Sequence, residues 1–168
     1  TEPTCLARLL RGAGCGARGG GLAMELGSSA GSLSRSDAAV IAAERGEEEA
    51  VRAWLDSGGR VNATYERDGV SGITLLMLAA SCGHERVIEL LLRCGAEINL
   101  QDSIGITALM AAARNGCERV VNLLIRRGAE VNLQDSLAFT ALMMAAPFNH
   151  PAVVRRLLRA GADTAARA

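Results

Sequence analysis

The feature that most constrains this chain is a segment of 33 residues that occurs twice in succession. Residues 72–104 align with residues 105–137 without a gap, and 22 of the 33 positions are identical. A third copy fills residues 138–168, and residues 36–71 form a divergent fourth copy with four extra residues before the next one. This period indicates a solenoid, because one such unit cannot bury its apolar face alone and stacked neighbours share an elongated core.

Each copy predicts two short helices joined by a turn. Apolar residues recur at helical spacing twice in the second copy: Leu76, Met77, Ala79 and Ala80, then Val87, Ile88, Leu91 and Leu92. Gly83 and Gly116 lie between the paired helices, where a left-handed residue ends the first helix, and Asn149 takes that position in the last copy. The second helices are predicted to end at three equally spaced glycines: Gly95, Gly128 and Gly161. The residues that follow then form a projecting finger.

The two ends of the array carry different signals. Ser36 or Asp37 is predicted to be the N-cap of the first helix, and the acidic run 47–49 places negative charge at the start of its partner helix. Arg156 replaces the leucine of the two preceding copies, so this surface is predicted to face water. Residues 1–35 are rich in Gly, Ser, Ala and Arg and are predicted to be a flexible leader.

The chain resembles the ankyrin repeat family over residues 36–168. The resemblance depends on the period, the glycines, the finger pattern D-x-x-G-x-T-x-L and the ending G-A-x-V-N. It implies an all-α solenoid of about four stacked helix-turn-helix units with β-hairpin-like fingers. The repeats would span about residues 36–71, 72–104, 105–137 and 138–168.

Several positions depart from the family pattern. The family's histidine is replaced by methionine in three copies, at Met77, Met110 and Met143, which removes the hydrogen bond that it makes to the motif threonine. The larger apolar contact of methionine is expected to offset this loss. Ala138 replaces the finger glycine of the last copy, so we expect that finger to be slightly adjusted if the position needs positive φ.

Charge and composition exclude several functions. The 18 acidic and 18 basic residues balance, so no net field draws the chain to nucleic acid or to an anionic membrane. Every basic residue is arginine, which excludes Schiff-base chemistry and a P-loop lysine. No apolar run approaches the roughly 20 residues of a membrane span. We therefore expect neither nucleic-acid binding nor membrane insertion.

The five cysteines are odd in number and form no C-x-x-C pair, which favours free thiols in a reducing compartment over a disulfide framework. A cytoplasmic or nuclear location is predicted. Organelle targeting by the arginine-bearing leader is a less favoured alternative.

The candidates for chemistry are weak. Gly14, Gly16 and Gly19 satisfy G-x-G-x-x-G, but glycine-rich leaders produce this match freely. Cys82, His84, Cys94 and Cys117 show no repeated ligand spacing. His84 and His150 share one repeat position, where a structural hydrogen bond is favoured. No enzyme activity, cofactor or metal is predicted.

The predicted binding surface lies on the finger tips and the exposed inner face of the first helices, which partners contact in the arrays that this chain resembles. The four extra residues bring Tyr65 and Arg67 into a longer loop, where specificity is often found. The predicted contact residues are Tyr65, Arg67, Ile73, Ile104, Ile106, Arg114, Asn115, Leu137, Phe139 and Phe148. Exposed apolar clusters with aromatic anchors are typical of partner sites.

Two alternatives stay open for this surface. Ile73, Ile106 and Phe139 share one register and either contact a partner or pack finger against finger, whereas Phe148 is favoured as a partner contact. Three asparagines are predicted to hold neighbouring fingers together: Asn62, Asn99 and Asn132.

The predicted function is that of a monomeric, non-enzymatic protein-interaction module. It would act as an adaptor, inhibitor or recruiting scaffold that binds a protein partner. The alternative is a regulatory or targeting fragment of a longer enzyme or channel.

Overall fold

The structure is a computed structural model that describes residues 34–164. The α-helices of this part are α1 (Arg35–Arg45), α2 (Glu48–Asp56), α3 (Leu75–Cys82), α4 (Glu85–Arg93), α5 (Ala108–Arg114), α6 (Glu118–Arg126), α7 (Ala141–Ala145) and α8 (Pro151–Arg159). A short 3-10 helix, Ala146–Phe148, follows α7. Strands β1 (Thr64–Arg67) and β2 (Val70–Thr74) pair antiparallel between α2 and α3.

The helices stack in two layers in chain order. The inner layer is α1, α3, α5 and α7, and each of these helices packs against the next one in the list. The outer layer is α2, α4, α6 and α8, which stack in the same way, and each outer helix also contacts its inner partner. This confirms the predicted solenoid of helix-turn-helix units.

Residue size differs between the packing within the inner layer and the packing between the two layers. The inner helices present fully buried alanines such as Ala80 and Ala113, which let neighbouring helices approach closely. The outer helices bury larger side chains such as Leu91 and Leu124 between the layers. Each such leucine stabilises the fold by about 1.5–3 kcal/mol. Packing of this kind holds the helices, since isolated helices this short are marginal in water.

The helix ends follow the repeat. Thr74, Thr107 and Thr140 cap α3, α5 and α7, and each hydroxyl accepts a bond from the backbone amide three residues later. The left-handed residues were predicted correctly. Gly83 has a φ of 81° and Asn149 a φ of 56°, and the glycines that follow the outer helices also have positive φ.

The predicted N-cap of α1 is wrong. Ser34 caps this helix: its hydroxyl accepts a 3.1 Å bond from the Asp37 amide, and the Asp37 carboxylate accepts one from the Ser34 amide. Asp37 is thus the third helical residue of a capping box, in which the N-cap and the third residue bond to each other's backbone. A serine followed three residues later by an acidic residue favours this arrangement. Ser34 and Arg35 therefore belong to the array. The rest of the predicted leader, with Gly14, Gly16 and Gly19, lies outside the described residues.

Arg156, which was predicted to lie on a surface that faces water, is partly exposed to solvent. Its side chain is half-buried, and its Nε has no hydrogen-bond partner within residues 34–164. The long apolar stem of arginine can cover neighbouring surface while only part of the guanidinium reaches solvent.

Candidate binding surface

Two fingers share the same internal hydrogen bonds. In the middle finger, residues 102–106, Asp102 Oδ1 accepts bonds from the amides of Ile104 at 3.0 Å and Ile106 at 2.8 Å. In the last finger, residues 135–139, Asp135 Oδ1 accepts equivalent bonds at 2.9 and 2.8 Å from Leu137 and Phe139. Each carboxylate therefore holds its finger in one shape.

Neighbouring fingers are also bonded to one another. The Ser103 amide donates to the Ser71 carbonyl at 2.8 Å, and the Ser136 amide donates to the Ile104 carbonyl at 3.0 Å. Below them, Asn99 accepts a 2.9 Å bond from the Glu130 amide, and Asn62 and Asn132 bond in the same way to Glu97 and Asp163. The predicted role of these asparagines is confirmed, and the fingers form one continuous ridge.

The insertion before Thr74 extends the first finger into a β-hairpin, which confirms the predicted hairpin-like finger, and the four extra residues lie in a strand and a tight turn rather than in an open loop. Asp68 and Gly69 have φ values of 52° and 81°, and they connect β1 to β2. An Asp-Gly pair with positive φ at both residues matches the twist of antiparallel strands. This first finger, residues 64–74, thus carries Tyr65 and Arg67 on a strand of the hairpin, with an irregularity in the strand register between them.

Tyr65 and Arg67 are committed to contacts within the fold. Arg67 forms an ion pair with Glu44 of α1. Tyr65 is half-buried, and its hydroxyl has no hydrogen-bond partner in the described part of the chain. Burial raises the pKa of Tyr65, and the negative charge of Asp37 raises it further. The Arg67 ion pair attaches the first finger to α1, and the part of both residues in binding a partner stays a prediction.

Ala138 keeps the conformation of the glycine it replaces, with a φ of 65° against 86° at Gly105. The position thus needs positive φ, and the difference of 21° between the two values is a slight adjustment of the kind expected. A Cβ on Gly105 would lie 2.7 Å from the Asp135 Cα, because the last finger packs over it. No further finger packs over Ala138 in the described residues, so only the backbone strain of about 1–2 kcal/mol remains.

The two histidines make structural hydrogen bonds, as predicted. His84 Nε2 donates to the Glu44 carbonyl at 2.8 Å, and His150 Nε2 donates to the Arg114 carbonyl at 3.1 Å. Both carbonyls belong to the last turn of the preceding inner helix, which leaves such groups without a helical partner. Between α3 and α5, no histidine in the described residues makes this bond. The side-chain amide of Asn115 donates instead to the Ser81 carbonyl, in the last turn of α3, at 2.9 Å.

The prediction of free thiols holds in part. Cys94 is a free, exposed thiol, but Cys82 is disulfide-bonded, so the prediction is wrong at that position. An odd cysteine count excludes complete pairing without excluding a single pair. The compartment of the chain stays a prediction. Among the described residues, no helix is both long and apolar enough to cross a bilayer.

Exposure separates the three residues whose roles were left open. Ile73 is 4% exposed, Ile106 is partly buried, and Phe139 is 38% exposed. The first two lie beneath a following finger, whereas Phe139 belongs to the last one. Finger-to-finger packing therefore accounts for Ile73, and Phe139 is left available to solvent.

The exposed apolar residues concentrate on the fingers. Four large apolar side chains are exposed within residues 34–164, and Ile104, Leu137 and Phe139 are three of them, at 44%, 68% and 38%. The fourth, Leu158, lies on the outer helix α8 at 43%. Clustering of such residues on one ridge is typical of a binding surface.

A groove lies beneath this ridge, between the fingers and the inner helices. It encloses a cavity of about 100 Å³ with a mainly apolar lining. Four of the predicted residues line it: Ile73, Ile104, Ile106 and Arg114. Five apolar residues of the inner helices line it as well, and sequence reasoning missed them: Met77, Leu78, Met110, Ala111 and Met144.

Charged groups surround the groove. Asp68 and Asp102 line it near the fingers. Burial raises the pKa of Asp102, the backbone amides of Ile106, Ile104 and Gly105 oppose this shift, and Asp135 adds to it. Arg114, the last residue of α5, is half-buried, and burial lowers the pKa of its guanidinium. Its Cζ lies 5.7 Å from the centre of the Phe148 ring.

Asn115 was predicted wrongly as an exposed contact residue. It is 1% exposed, and its amide is used on the Ser81 carbonyl. Ile73 is likewise buried, so neither side chain is on the open surface. Asn115 directly follows α5, but this position in the sequence does not show whether its side chain points to solvent or to the preceding unit. The remaining residues of the predicted surface stay candidates.

In the described part of the chain, the two helical layers and the stacked fingers define a repeat solenoid with an apolar groove between the fingers and the inner helices. Three overlapping matches to the family model for ankyrin repeats (3 copies) cover residues 5–102, 39–135 and 76–168. The chain belongs to the ankyrin repeat family. Domains of this family are generally protein-protein interaction modules and are typically not catalytic.

Proposed function

We propose that this chain binds a protein partner through the groove and the exposed side chains of the middle and last fingers. The observation that supports this most strongly is that three exposed apolar residues, Ile104, Leu137 and Phe139, lie on two neighbouring fingers, and that Ile104 also lines the apolar cavity. Large apolar side chains around a concave apolar surface are the usual centre of a protein interface.

The rigidity of the surface supports the same function. The fingers are bonded to one another, and each carboxylate holds two amides of its own finger. A preformed surface loses little conformational entropy when a partner binds. The chain would therefore act as a scaffold, adaptor or inhibitor that needs no rearrangement of its own.

The test begins with selection of linear peptides from a displayed random library on the immobilised protein. The affinities of the selected peptides are then measured for the parent and for the double variant Ile104→Ser, Phe139→Ala. We expect at least tenfold weaker binding to the variant, since loss of central apolar contacts costs more than about 1.4 kcal/mol.

Leu158→Ser is the matched control, because Leu158 is exposed to the same extent as Ile104 but lies on the outer layer. Its affinities should stay within about twofold of the parent, which is a difference of less than about 0.5 kcal/mol. Equal losses in both variants, or no loss in the double variant, would refute the proposed surface.

A further inference from the structure

Arg114 is the cation within the lining of the apolar groove. In the described part of the chain, its guanidinium has no carboxylate within ion-pair distance, whereas Arg52, Arg67, Arg119 and Arg127 form such pairs. The Phe148 ring is the contact that holds it, at 5.7 Å. The groove thus contains a half-buried positive charge that the fold does not neutralise.

This arrangement is unfavourable in the free protein. A charge that is partly removed from water and lacks a partner costs free energy, which the lowered pKa of Arg114 also reflects. A cation over an aromatic ring recovers only about 0.5–2 kcal/mol. A carboxylate that entered the groove would meet a guanidinium already held in place, in surroundings where the attraction is stronger than in water.

The carboxylates in the groove lining do not provide this partner. Asp102 is used by the amides of the middle finger, and Asp68 belongs to the turn of the first finger. Both put negative charge at the finger side of the groove, whereas Arg114 puts positive charge at the end of α5. The groove therefore has negative charge near the fingers and positive charge near the end of α5, and the rest of its lining is apolar.

We propose that the groove binds a peptide segment in which an apolar side chain fills the cavity and a neighbouring carboxylate pairs with Arg114. Apolar cavities of about 150 Å³ accept a molecule of the size of benzene, so a cavity of about 100 Å³ suits an aliphatic side chain. The carboxylate would come from Asp, Glu or a chain end. This inference rests on the proposed function and specifies the chemistry of the partner.

The experiment uses the peptides selected on the parent protein. For each one, a synthetic copy is compared with a copy in which the carboxylate is replaced by its amide. We expect the replacement to weaken binding to the parent by about tenfold, the effect of about 1.4 kcal/mol. With Arg114→Gln the same replacement should change the affinity by less than about twofold.

Arg93→Gln is the control for net charge, because Arg93 is an exposed arginine of the outer helix α4, away from the groove. This variant should retain the full tenfold difference between the acid and amide peptides. Thermal unfolding of Arg114→Gln shows whether the fold survives, which we expect since the side chain makes no hydrogen bond within residues 34–164.

The outcomes separate this inference from the proposed function. If the selected peptides lose affinity for the Ile104→Ser, Phe139→Ala variant but carry no acid, the groove binds peptides and the pairing with Arg114 is wrong. The pairing is also wrong if the amide replacement costs the same in the parent and in Arg114→Gln. If no selected peptide depends on Ile104 and Phe139, the proposed function itself fails.

Discussion

The middle and last fingers have the same internal bonds but different surroundings. Both are held by an aspartate that accepts two backbone amides at 2.8–3.0 Å. The middle finger is covered by the last one, and the same position holds glycine in the former and alanine in the latter. The comparison shows that the residue type at this position depends on the neighbour rather than on the finger itself.

The same difference determines which finger presents apolar surface. Ile106 and Phe139 occupy equivalent positions, yet Ile106 is partly buried and Phe139 is exposed. Ile106 therefore packs beneath the following finger, whereas Phe139, in the last finger, is not covered by another finger in the described residues. A partner that contacts Phe139 would continue the stacking direction of the fingers.

The largest effect that this comparison predicts is that of Gly105→Ala. A Cβ at this position would meet the Asp135 Cα at 2.7 Å and the Ser136 nitrogen at 2.9 Å, in a backbone with positive φ. We expect the free energy of unfolding to fall by about 1–4.5 kcal/mol. Overpacking of about 1–3 kcal/mol adds to strain of about 1–2 kcal/mol, and the lower unfolded-state entropy of alanine offsets about 0.5–1 kcal/mol. Urea-induced unfolding followed by circular dichroism measures the loss.

Gly128→Ala is the matched control for backbone strain. Gly128 has a φ of 91°, and a Cβ there would have no atom within 4 Å. Its loss should be at most about 1.5 kcal/mol, because strain of about 1–2 kcal/mol is partly offset by the lower unfolded-state entropy of alanine, about 0.5–1 kcal/mol. Equal losses for the two variants would show that the contact between fingers does not require glycine.

These features differ in how well the sequence predicts them. Left-handed glycines and helix caps depend on local backbone geometry, so the repeat period was enough to locate Gly83 and Asn149. Hairpin-like fingers were predicted, but the tight turn of the first one was not, although its Asp68-Gly69 dipeptide is typical of two-residue hairpin turns.

Burial and the groove were harder to predict, because they depend on which neighbour covers a residue. Asn115 was expected on the surface, but its amide bonds to the preceding unit. The methionines were interpreted as core replacements for histidine. Met77 and Met110 are indeed buried, yet they also form the floor of the groove, and periodicity does not distinguish these two situations.

An intermediate effect is expected from removing the finger carboxylates. Asp102→Ala leaves the Ile104 and Ile106 amides without their acceptor, and the Ile106 amide lies in a part-buried site beneath the last finger. We expect a loss of about 1–3 kcal/mol, the cost of a buried group left without a partner. Asp135→Ala should cost less than about 1 kcal/mol, because the amides of the open last finger can bond to water.

Asp102→Asn controls for charge, since its side-chain carbonyl can still accept both amides. It should lose less than Asp102→Ala in the same urea-induced unfolding experiment. If Asp102→Ala and Asp135→Ala cost the same, stacking does not shield the middle finger from water.

The smallest effect, and the one with the most informative sign, is that of Ala138→Gly. Glycine removes the strain of about 1–2 kcal/mol at a φ of 65°, but it adds about 0.5–1 kcal/mol of unfolded-state entropy. The free energy of unfolding should therefore rise by up to about 1.5 kcal/mol. Ala160→Gly is the control: Ala160 has a φ of −86°, so glycine relieves no strain there and should lower stability by about 0.5–1 kcal/mol. Opposite signs for the two variants would show that the open finger carries backbone strain that the covered finger avoids, whereas losses in both would mean that alanine fits the last finger without strain.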